Sequence, residues 1–213
     1  MRAKQAKYRF VEELLARFDT QKSAIRRRLN DFASIQIDEY FYELVYCLLT
    51  PQSSAINAGK AVETLKATDL MSQNVDASSL LRQKNSYIRF HNTKARHLSA
   101  AKAQFPEIAA QLSNGLTSVQ LRKWLVDNVK GFGWKEASHF LRNVGHRNLA
   151  ILDRHILRNL KRHNVIHRIP KSLTPRRYLT IETQFATFAA DVGISMDELD
   201  LLFWSEETGE ILK

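Results

Sequence analysis

Apolar residues recur at spacings of three and four along most of this sequence, and little interrupts them: 213 residues contain only seven glycines and four prolines. That pattern predicts helices, because residues three and four apart share one helical face and the two strongest breakers are scarce. Phe10, Val11, Leu14, Leu15 and Phe18 form the first stripe, and the Arg26-Arg27-Arg28 run after it reads as a solvated face. Residues 39–49 form an apolar helix that Pro51 should stop. Further helices are expected over 55–67, 76–81, 93–105 (closed by Pro106), 118–128, 135–144 and 154–164. Thr174-Pro175 supplies an N-cap and a first-position proline for a helix through about Ala190, and Ser195 with Glu198 forms a capping box that launches residues 196–204. The fold class is therefore all-α, and the 44% apolar content is ample for one large domain or two small ones.

Thirty-two Lys and Arg against 22 Asp and Glu leave a charge of +10, which favours a polyanionic partner such as nucleic acid or an acidic membrane surface. The membrane is the weaker choice, since no helix combines a basic face with a broad apolar one. A single cysteine, Cys47, excludes an internal disulfide and a four-cysteine zinc or iron–sulfur site. It sits in an apolar run and is expected to pack there. Without a signal-peptide-like start or an apolar run of about 18 residues, an intracellular, cytoplasmic or nucleoid address is expected.

The stretch from Val129 to Arg158 carries the chemistry. Gly131 and Gly133 bracket Phe132 just before an amphipathic run, so the chain can turn tightly and offer backbone N–H groups at a helix start, a place suited to phosphate. The helix that follows would be about 15 Å long, and the eight residues from Gly145 to Leu152 can span up to about 26 Å. If that connector runs back along the helix, Asp153 approaches Lys135 although eighteen positions separate them. An amine and a carboxylate would then face the turn. Asp153 also suits an N-cap, a role compatible with catalysis, and Arg154, Arg158, Lys161 and Arg162 make its helix basic.

Gly131-Phe132-Gly133-Trp134-Lys135 with Asp153 resembles the hairpin and catalytic aspartate of the helix-hairpin-helix DNA glycosylase superfamily. Arg89-Phe90-His91-Asn92-Thr93-Lys94-Ala95, the wording of Gly133 to Asn159, the short length and the terminal Lys213 are similar to the type 2 8-oxoguanine DNA glycosylase/AP lyases. The resemblance implies two helical domains, residues 35–143 in one and residues 1–34 with 144–213 in the other, with the hairpin at the cleft between them. It also implies a monomer that needs no metal or cofactor and whose partner is duplex DNA containing 8-oxoguanine.

Roles follow from the same resemblance. Lys135 would be the nucleophile and Asp153 the carboxylate that stabilises charge on the sugar. Phe90 and Trp204 would sandwich the flipped base and Lys213 would read its edge. Gln52 would enter the DNA stack, while Gly131, Phe132, Gly133 and Arg154 would hold the backbone. Trp134 departs from the small or basic residue common before this lysine and is expected to pack on the hairpin. From the residues alone, an ordinary turn residue is the alternative for Gln52, a core anchor for Phe90 and Trp204, and a phosphate contact for Lys135. Another lesion, such as an oxidised pyrimidine, and a non-catalytic DNA-binding module stay open as alternatives.

Overall fold

A computed structural model describes residues 7–209 and 211, and these residues are helical with no strand among them. Lys213 lies outside the described residues, as do positions 1–6, 210 and 212. No helix among the described residues is long and apolar enough to cross a membrane. The chain divides into two compact units, one formed by Ile35–Phe140 and one by Met1–Ser34 together with Leu141–Lys213.

In the Ile35–Phe140 unit, α2 (Tyr40–Leu49) is almost wholly buried and packs against α3 (Ala55–Ala67) and α5 (His91–Leu112). Short α4 (Ala77–Leu81) leans on α5, and α6 (Ser118–Asn128) leads into the glycine turn. Starts are set by side-chain caps: Ser54 accepts from the Asn57 N–H, Asp76 from Ser79, and Thr117 forms a capping box with Gln120. Cys47 is fully buried in α2.

The helix end expected at Pro106 is corrected. Pro106 does not close α5 but lies inside it, and the helix runs on to Leu112. A proline there forfeits one backbone hydrogen bond and typically costs about 3 kcal/mol. Phe105 and Ile108 on either side of it are buried on one face, and Phe105 meets Phe41 edge-to-face at 5.2 Å. Burial of such side chains contributes roughly 1.5–3 kcal/mol each, enough to hold the helix together through the break.

In the other unit, α1 (Val11–Ala33), α8 (Arg154–Arg162) and α9 (Pro175–Val192) surround α10 (Met196–Thr208). Leu14 and Ile25, Leu160, Phe185 and Phe188, and Leu199, Leu202 and Phe203 form its core. His163 stacks between Phe188 and Phe203, and its Nδ1 lies 2.8 Å from the Arg9 carbonyl. The Arg26 to Arg28 run is partly engaged within this unit. Arg26 pairs with Glu198 at 2.8 Å, and Arg28 lies over the Phe32 ring.

Candidate active site: a lysine behind a glycine turn and a capping aspartate

The glycine turn is built by backbone stereochemistry. The Val129 carbonyl accepts from the Phe132 N–H at 3.1 Å, and Gly131, at the second central position, has φ +95. L side chains rarely adopt that conformation. Space forbids one as well, since a Cβ on Gly131 would stand 3.0 Å from Leu48 Cδ2 and press on the His97 ring. Phe132 fills the other side of the turn. Its ring is buried against Phe140, so the side chain is withdrawn from any ligand.

Helix α7 (Trp134–Asn143) starts immediately afterwards, and Lys135 is its second residue. Glu136 at the third position reaches back so that its Oε2 accepts from the Gly133 N–H at 3.1 Å, while its Oε1 lies 3.3 Å from Lys135 Nζ. Phe132 and Gly133 thus have their N–H groups engaged inside the hairpin. Donors for an anion come from the first turn of α7, whose N–H groups have no intrahelical acceptors. The Lys135 side chain is 24% exposed, covered but reachable. Trp134 packs as expected, with the Arg122 guanidinium 4.9 Å from its ring centre, and buried Arg122 donates to Ser138 Oγ at 3.2 Å.

Two more turns of this unit present residues outward. Thr50 to Ser53 closes with a 3.0 Å hydrogen bond around Pro51 and Gln52; Gln52 is exposed with φ 56. Left-handed backbone costs a non-glycine residue roughly 1–2 kcal/mol, so something must hold it. Phe90 is the N-cap of α5 at φ 59 with 54% of its surface exposed, and the Arg89 guanidinium lies 5.4 Å from its ring centre. It is therefore not a core anchor.

In the second unit, Asp153 caps α8, its Oδ1 accepting from the His155 and Ile156 N–H groups at 2.8 Å each. The connector before it is pinned at several points. Gly145 (φ 93) ends α7 with the His146 N–H bonded to the Leu141 carbonyl, a left-handed cap that a Cβ would drive to 3.1 Å from the Ala33 Cα. Asn148 N–H donates to Asp197, Ala150 N–H to Glu182, and Leu152 N–H to the Tyr178 hydroxyl. Trp204 is half-buried with its ring 5.1 Å from that of His155, two residues from Asp153. Arg154 is exposed, its Nε 3.3 Å from His155 Nε2.

Three polar features escaped the sequence reading. Lys94 occupies the first position of the buried stripe of α5, ahead of Leu98, Ala101, Phe105 and Ile108. A lysine in an apolar register was its visible signal. Glu136 was legible as a third-position glutamate that reaches back to a helix start. Asp200 and Arg142 form a buried pair at 2.5 Å, and burial drives the Asp200 carboxyl up to about 7. Arg142 opposes that shift, and the charges of Asp153 and Asp197 add to it. No sequence spacing announces this pair, because its members are fifty-eight residues apart.

A glycine-turn hairpin opening a helix with a lysine at its second position places the chain in the helix-hairpin-helix class. A family model described as 8-oxoguanine DNA glycosylase matches residues 25–194. The 8-oxoguanine DNA glycosylase/AP lyase of Fusobacterium nucleatum is 41% identical, covering 97% of this chain and 99% of that protein. The protein of the same name from Korarchaeum cryptofilum is 39% identical over 90% of this chain and 91% of its own. Among solved structures, a Methanocaldococcus jannaschii 8-oxoguanine glycosylase/lyase in complex with a 15mer DNA containing 8-oxoguanine is similar with a TM-score of 0.84 and 33% identity, covering 94% of this chain and 100% of that one. The chain belongs to the 8-oxoguanine DNA glycosylase family.

Proposed function

We propose that this protein excises 8-oxoguanine from duplex DNA and then cuts the abasic strand, with Lys135 as nucleophile and Asp153 as its carboxylate partner. The observation that carries the reading is the seat of Lys135, the second residue of α7 directly behind a left-handed glycine turn. An amine is there set beside first-turn N–H groups suited to a DNA phosphate. The named activity of the relatives supports the chemistry, and the DNA of the M. jannaschii complex supports the substrate.

The target base lies inside the duplex and must be flipped out. As the bond from C1′ to the base breaks, its electron pair leaves with the base and positive charge grows on the sugar. Asp153, its Oδ1 held by two backbone N–H groups, is the carboxylate that would stabilise that charge. Lys135 Nζ donates its lone pair to C1′. An ammonium has no lone pair, so a proton must leave Nζ, and in this reading Asp153 accepts it as the base departs. The sugar then opens to a protonated Schiff base. Loss of a C2′ proton breaks the C3′–O bond and expels the 3′ phosphate, and water releases the lysine. Phe90 and Trp204 would enclose the flipped base, Lys213 would read its edge, and Gln52 would take the vacated place in the stack. The Gly131-Phe132-Gly133 turn, its own N–H groups at Phe132 and Gly133 engaged, would hold the backbone by presenting the first-turn N–H groups of α7, with Arg154 as a further phosphate contact.

Borohydride trapping tests the reading. The protein is incubated with a duplex carrying one 8-oxoguanine, with an undamaged duplex and a Lys135→Gln variant alongside. A covalent adduct that needs both the lesion and Lys135 is expected. Binding without any adduct would leave a non-catalytic DNA-binding module and overturn the proposal.

A further inference from the structure

Lys94 and Ser53 tie together Gln52 and Phe90, two of the exposed left-handed residues of the Ile35–Phe140 unit. Lys94 is 6% exposed, and its ammonium donates to the Leu49 carbonyl at 2.6 Å, the Pro51 carbonyl at 2.7 Å and Ser53 Oγ at 3.2 Å. Those three acceptors span the end of α2 and the turn that carries Gln52. A cation at a helix C-terminus is favourable, and three acceptors match the three donors of an ammonium. Ser53 Oγ in turn accepts from the Arg89 N–H at 3.1 Å, and Asn57 Nδ2 donates to the Tyr87 carbonyl at 3.1 Å. The segment that presents Phe90 is thereby fastened to the segment that presents Gln52.

The arrangement is costly to maintain. Burial, with the like charges of Lys135 and Arg89 adding to it and Glu136 opposing, holds the Lys94 amine down at about 8. A lysine used only to fill an apolar stripe would be replaced by methionine or leucine at no such cost. We infer that Lys94, acting through Ser53, is a positioning residue that sets the spacing between Gln52 and Phe90, and so governs base extrusion rather than the later strand cut. The inference rests on the functional reading above. An abasic site has no base to extrude, so strand cleavage there depends little on the clamp.

The test compares Lys94→Met and Ser53→Ala with the wild type in three measurements. These are single-turnover excision from an 8-oxoguanine duplex, cleavage of a duplex that already holds an abasic site, and amide hydrogen exchange at Arg89. Expected are faster Arg89 exchange in both variants, an excision rate lower by roughly tenfold to a hundredfold for Lys94→Met, as loss of positioning produces, a smaller loss for Ser53→Ala, and abasic cleavage within about twofold of wild type. Wild-type excision by Lys94→Met, or equal loss of both reactions in a folded variant, overturns the inference. If Lys94→Met does not fold, the same comparison on Ser53→Ala decides. Should the wild type fail to excise 8-oxoguanine, the functional reading falls by itself, and Arg89 exchange still decides whether the clamp exists.

Discussion

Replacing Asp200 with asparagine should remove one component of how stability depends on pH, on top of a destabilisation that is nearly the same at every pH. Asp200 is 3% exposed and pairs with Arg142 through Oδ2, while its Oδ1 is buried with no hydrogen-bond partner among the described residues. Its folded carboxyl titrates at about 7, against an ordinary value of 3.8. Between those two values the folded protein binds more protons than the unfolded chain, so stability falls as pH rises. The stabilisation is fully present below about 3.8 and is lost by the time pH has risen through about 7. From pH 5 to pH 8 this group alone should remove about 3 kcal/mol, since stability drops by about 1.4 kcal/mol for each pH step of one between 5 and about 7 and then levels off. Asparagine keeps the shape and does not titrate. It leaves Arg142 buried without its counter-charge, a penalty that hardly varies over this range because guanidinium stays charged. Urea unfolding at pH 5, 6, 7 and 8 should therefore give two curves that separate with pH, the wild type losing about 3 kcal/mol relative to Asp200→Asn between the ends. Parallel curves would refute the assignment of the raised carboxyl to Asp200.

Asp153 allows its two roles to be separated. Asp153→Ala removes a cap with two 2.8 Å bonds and should destabilise by about 1 kcal/mol, whereas Asp153→Asn should keep the cap and stability yet lose most base excision, as thermal melts beside single-turnover kinetics would record. Gly131→Ala should cost roughly 1–3 kcal/mol, because it adds a Cβ at φ +95 and 3.0 Å from Leu48 Cδ2; denaturant titration measures the cost, and weaker binding to undamaged duplex is expected with it. Binding to undamaged duplex should also weaken linearly on a log–log plot against salt, since the exposed Arg154, Arg158, Lys161 and Arg162 on α8 make phosphate contact a counterion-release process; a flat salt dependence would count against a DNA backbone partner. Removing Lys213 should reduce discrimination between lesion and undamaged duplex more than it reduces binding to either, and equal losses would count against edge reading.

Much of the helical layout was legible because its determinants are local. The helices Ala55–Ala67 and Ser118–Asn128 span the residues expected from periodicity and caps, and Ser195 launches the last helix through its capping box. The glycine turn and Lys135 were legible for the same reason, as a short motif whose backbone needs are written in neighbouring residues. Local rules failed where a nonlocal contact outweighed them. Pro106 should end a helix on its own preference, but Phe105 and Ile108 have a core to enter and the helix continues. Phe90 reads as a core anchor by composition, yet it stands 54% exposed, because buried Ile88 and Lys94 on either side turn inward and leave the left-handed residue between them outside.

By itself, then, the sequence determined the all-α class, most helix starts and the lysine behind its turn, since hydrophobic period, capping and glycine stereochemistry act over a few residues. Tertiary structure alone decided which polar groups would be buried and with whom: Lys94 on the carbonyls that end α2, and Arg142 with Asp200 across fifty-eight residues. Desolvation is the physical reason. It depends on how densely a side chain is surrounded after folding, and that quantity is set by residues remote in the chain.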